Sequence, residues 1–195
     1  MQDGIVDYQT WTQQKRKVLF LLKETNGYDG DLRELLREGG MGTTWNNVVR
    51  WSCAAQHVWK DKETAWKELE YISLEKRREL LRRIAVINVK KTPGLSTADS
   101  QELEEAMWEN KDLLREQIQS IQPDIIICGG TEYYFKNIFD IAEKDVLLTS
   151  NGIRYCFYDE KLVLFYYHPN ARKNMKEMLD RIWDAVRCAE TSSVC

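Results

Sequence analysis

The chain has 195 residues, of which 43% are hydrophobic and 30% charged, with only three prolines, so disordered and fibrous classes are excluded. At this length one hydrophobic core suffices, and a single domain spanning 1–195 is expected. The net charge of −3 argues against a general polyanion binder and leaves room only for a local basic footprint.

Residues 1–16 read as an N-terminal extension without the apolar core of a signal peptide. Lys17 to Leu22 is a continuous apolar run, the pattern of a strand buried on both faces. Leu32 to Arg37 follows as a short helix closed by Gly39 and Gly40, after which Thr43 or Thr44 can cap a helix through Trp51. Ser73 with Lys76 to Arg83 is a further helix, and Ala85 to Val89 a second strand that breaks at Pro93-Gly94. A long amphipathic helix then covers Ser100 to Ile121 and stops at Pro123.

Asp124 to Cys128 is a third buried strand ending in Gly129-Gly130, with a helix over Glu132 to Phe139. Ile153 to Tyr158 and Leu162 to Tyr167 flank a short polar turn and pair as a hairpin. The last helix covers Arg172 to Ala189, and 190–195 is a frayed tail. This rhythm implies a three-layer αβα fold with a central, mainly parallel sheet of four strands and right-handed crossovers.

No run approaches the ~20 apolar residues of a membrane span, and a cytoplasmic, monomeric protein is expected. The five cysteines are scattered without close pairs, which points to reduced structural thiols and to no metal or other cofactor.

In open parallel sheets, ligands bind beyond the carboxyl ends of the strands. The loops there are Lys23-Glu24-Thr25-Asn26-Gly27, Asn88-Val89-Lys90-Lys91-Thr92-Pro93-Gly94, Gly129-Gly130 and Tyr167-His168-Pro169-Asn170-Ala171-Arg172. Each has a plain reading by itself. Glu24 can be a helix cap, Asn88 can tie down its own loop, and Trp45 can be core. His168-Pro169 can be a simple turn, Gly129-Gly130 a packing requirement, and Lys90-Lys91 a solvated pair.

Taken in order, these loops resemble the uracil-DNA glycosylase superfamily, especially its branches with a Gly-Glu-Ala-Pro-Gly first motif and a His-Pro-Ser or His-Pro-Ala last motif. The resemblance spans most of the chain and implies a protein that hydrolyses the N-glycosidic bond of uracil or a related modified base in DNA. Glu24 would then stabilise the sugar cation or position water, and His168 would donate to the departing base. Asn88 would read the polar edge of the base, and Trp45, in a Gly-Thr-Thr-Trp element similar to the family's Gly-x-x-Phe, would stack on it. Thr25, Asn26 and Gly27 would complete the base pocket, while Lys90, Lys91, Asn170 and Arg172 would hold backbone phosphates.

Several positions depart from the family pattern. Thr25 stands where other branches carry Asp or Asn, Asn26 replaces a proline, and Lys23 replaces a glycine. Thr92 occupies the place of a cluster cysteine, so the iron-sulfur centre of similar branches cannot form. These departures define two alternatives. One is a non-catalytic nucleobase or nucleic-acid binding module on the same fold. The other is a nucleotide-dependent α/β enzyme using Gly129-Gly130, which lacks both common phosphate-loop patterns.

Overall fold

The computed structural model describes residues 1–95 and 98–192. Three five-residue strands, β2 (Val18–Leu22), β3 (Ile84–Asn88) and β4 (Ile125–Gly129), are buried at every position, as continuous apolar runs demand when helices cover both faces. With β7 (Lys161–Tyr166) they form a parallel centre in the order β3-β2-β4-β7. Among the described residues the α-helices are α1 (Tyr8–Thr12), α2 (Leu32–Arg37), α3 (Thr44–Gln56), α4 (Lys62–Leu69), α5 (Leu74–Leu81), α6 (Ser100–Glu109), α7 (Lys111–Ile121), α8 (Glu132–Phe139) and α9 (Met175–Ser192).

The expectation of a four-stranded, mainly parallel sheet is corrected: among the described residues the sheet is mixed and has seven strands, in the order β1-β3-β2-β4-β7-β6-β5. Beyond the parallel centre, β1 (Gly4–Ile5) pairs antiparallel with β3, and β6 (Arg154–Tyr158) pairs antiparallel with both β7 and β5 (Leu147–Leu148). The two outermost strands have two residues each, too short for any periodic signal. The β6–β7 hairpin turns through Asp159 and Glu160, both at positive φ, which matches the right-handed twist of the strands.

Residues 1–16 are therefore not a mere extension, because β1 extends the sheet and Asp3 is enclosed in an ion pair. The expected long helix is divided at Asn110, whose side-chain amide donates to the Ala106 carbonyl at 2.8 Å and competes with the helical ladder. α4 and α1 were not expected, α3 runs on to Gln56, and Glu190 to Ser192 continue α9 rather than fraying. Residues 193–195 of the expected tail lie outside the described residues.

The core has two layers. Phe20, Val86, Ile127 and Leu164 face α3 and α9, while Leu21, Ile87, Ile126 and Val163 face α6, α7 and α8. Among the described residues no helix is long and apolar enough to cross a membrane.

Candidate functional site

Leaving β2 and β3, the chain forms two loops joined like an extension of the sheet. Val89 N–H donates to the Leu22 carbonyl at 2.9 Å and Lys90 N–H to the Lys23 carbonyl at 3.0 Å. Further out, Gly94 N–H donates to Thr25 O and Gly27 N–H to Gly94 O. Glu24 is held inside this seam with its side chain only 5% exposed, and Lys90 Nζ lies 3.1 Å from its Oε2. That oxygen has no well-aligned hydrogen bond, so charge is its main compensation. Lys90 also pairs with Glu102, and these two carboxylates, Glu102 first, raise its pKa. A methyl group placed on Gly94 would overlap the Glu24 carboxylate, so glycine is required there for close approach.

The loops after β4 and β7 form the other half. Gly130, at φ +72°, turns the chain into α8 and packs against the backbone of His168, while its N–H donates to the Tyr166 carbonyl at 2.8 Å. In the turn after β7, Asn170 N–H donates to His168 Nδ1 at 3.2 Å and Ala171 N–H to the His168 carbonyl at 2.8 Å. Burial, and secondarily the Lys23 ammonium, push the His168 pKa below its ordinary value. The ring is thus neutral at pH 7 with Nδ1 as acceptor, which leaves the proton on Nε2. Glu24 and His168 follow strands separated only by β4, and the charge of Lys23, beside Glu24, is felt at His168.

The other expected residues have mixed placements. Asn88 is 1% exposed; its N–H donates to Asp3 and its amide meets the Met1 sulfur at 3.8 Å, so the N-terminal residues cover it. Lys91 donates to both Asp3 carboxylate oxygens and to Gln117, and its burial lowers its pKa. Trp45 is 8% exposed and belongs to the core, where a methyl group on Gly40 would overlap its indole. Thr25 closes its own loop by donating to Tyr28 O at 2.6 Å, and Gly27 takes φ +69° beside an exposed Asn26. Asn170 and Arg172 are exposed at the mouth.

Four further groups border the site, of which sequence reasoning did not single out Asn47 and Arg50. Tyr167 is 40% exposed beside His168, and Lys173 Nζ lies 5.3 Å from its ring centre. Inside the protein, Asn47 Nδ2 donates to the Pro169 carbonyl at 2.7 Å, and buried Arg50 donates to Asn47 Oδ1 at 3.0 Å. A polar Asn47 and a cationic Arg50 in an otherwise apolar stretch of α3 were the available signal. No family model matches the chain, and no curated protein matches it.

Proposed function

We propose that the chain hydrolyses the N-glycosidic bond of uracil or a related modified base in DNA, acting as a cytoplasmic monomer without a cofactor. The observation that carries this reading is the Asn170 N–H that donates to His168 Nδ1 at 3.2 Å, an arrangement that leaves Nε2 to carry the proton of a neutral ring. As the C1′–N bond breaks, its electron pair passes to the base, and a neutral N–H donor stabilises the charge that develops on the base oxygen. Glu24 supplies the complementary carboxylate for the cationic sugar, whose C1′ then bonds the oxygen of water while a proton of that water passes to the departed base anion. The enclosure of Lys90 and Lys91 shifts the phosphate contacts to Lys23, Arg172 and Lys173, and Tyr167 replaces Trp45 as the ring on which a base stacks.

The test is single-turnover release of uracil from a labelled single strand, read by alkaline cleavage of the abasic product. His168→Ala is expected to lower the rate roughly 10²–10³-fold with DNA affinity retained, and Glu24→Gln to act in the same direction. A rate that survives both substitutions would place the chemistry elsewhere. A second reading, a base-binding module that does no chemistry, is favoured by the Glu24–Lys90 pair, which already neutralises the carboxylate. A wild type that binds the strand at the same loops without releasing base would establish it.

A further inference from the structure

Arg50 is 3% exposed, and burial alone moves its pKa, downward, with no carboxylate contributing among the described residues. Such a charge is costly to bury unless every donor is met. Its Nε donates to Leu69 O and its Nη2 to Glu70 O, both at 2.9 Å, and its Nη1 to Asn47 Oδ1 at 3.0 Å and to the Met175 sulfur at 3.2 Å. Leu69 and Glu70 end α4, where free carbonyls and the negative pole of the helix dipole receive a cation. This placement has a directional consequence. Nη1 can meet only an acceptor, so the Asn47 oxygen must face Arg50, and its amide nitrogen must face the other way, onto Pro169 O at 2.7 Å.

The Pro169 carbonyl and the Asn170 N–H belong to one planar trans peptide, so they point in opposite directions. Holding the carbonyl on the inner side therefore aims the N–H outward, and that N–H is the one that donates to His168 Nδ1. We infer that Arg50 and Asn47 are positioning residues that fix the tautomer of His168 through the Pro169–Asn170 peptide. The inference deepens the proposed function, since it rests on His168 being the donor, and it makes the interior of α3 responsible for which ring nitrogen carries the proton.

The chain has two histidines, so ¹⁵N-histidine labelling gives two imidazoles, His168 and a built-in control in His57, which stacks on Trp183 away from the site. In the wild type, His168 is expected to show Nδ1 unprotonated and Nε2 protonated at pH 7.5. Asn47→Asp keeps an acceptor for Arg50 but turns a carboxylate oxygen toward Pro169 O. The peptide loses its hold, and His168 is expected to become a mixture of tautomers while the His57 signals stay in place. Asn47→Ala removes the same donor without adding charge and gives the same readout if the first variant does not fold. Uracil release by the variant should lose kcat with KM unchanged.

A His168 pattern identical to wild type in a folded Asn47 variant overturns the inference, as does a wild type protonated on Nδ1. A shifted tautomer in a chain that releases no uracil keeps the relay and removes the glycosylase reading instead.

Discussion

The two halves of the site mouth solve the same problem in opposite ways. Each is a set of loops leaving parallel strands, and each must satisfy polar groups beyond the last ladder hydrogen bond. The β2–β3 half does so internally: Glu24 faces Lys90, Lys91 faces Asp3, and two further backbone hydrogen bonds close the seam at Gly94. The β4–β7 half is fixed from behind by Gly130 and Asn47 and leaves Tyr167, Asn170, Arg172 and Lys173 at the surface. Charges of identical type thus do different work. In the closed half they hold the fold, and in the open half they remain available to a ligand.

The largest expected effect breaks the closed half. Lys90→Met leaves the Glu24 carboxylate enclosed without its cation. We expect a loss of about 2–3 kcal/mol in urea unfolding, below the figure for a wholly interior pair because Lys90 also touches the exposed Glu102. Reversing Arg172 and Lys173 should change stability by less than about 0.5 kcal/mol, yet flatten the salt dependence of DNA binding by roughly one in log–log slope per lost phosphate contact. Equal destabilisation by both sets would end the distinction between the halves.

Gly94→Ala should cost about 1–3 kcal/mol, because the added methyl group and the Glu24 carboxylate cannot occupy one place. The backbone of Gly94 is not left-handed, so the cost belongs to Glu24 rather than to the main chain. In a Glu24→Ala background the same substitution should be close to neutral. A double-mutant cycle with no coupling would show that the seam, not the carboxylate, requires the glycine.

The sequence read clearly wherever burial was complete on both faces. β2, β3, β4 and the β6–β7 hairpin all appear as uninterrupted or flanked apolar runs. It read poorly where a contact is long in sequence and short in space. Asn88 looked like an open amide until Met1 and Asp3, more than eighty residues away, were seen to cover it. Lys91 follows the same pattern, since the Asp3 that encloses its ammonium lies 88 residues away. Local motifs located the strand ends, but which polar groups there remain unspent is decided by tertiary pairing.

The smallest effect separates the two histidines. Both have pKa values below the ordinary 6.5, and burial is the first cause for each. At His57 a second contribution comes from Arg16, and its buried Nε2 has no acceptor for an added proton. At His168 the second contribution is Lys23. Because the unfolded chain takes up these protons at higher pH than the folded one, the imidazoles contribute stability that is complete above about pH 6.5 and lost as pH falls toward the folded values. Lys23→Gln should therefore raise the His168 titration midpoint, leave that of His57 unchanged, and narrow the pH window of acid destabilisation from its lower edge upward. The two midpoints, followed by NMR at low salt, are the measurement, and 0.5 M salt should erase most of the difference between wild type and variant as the Lys23 charge is screened. Equal movement of both histidines would mean that Lys23 acts through the fold as a whole and not as a charge at the mouth.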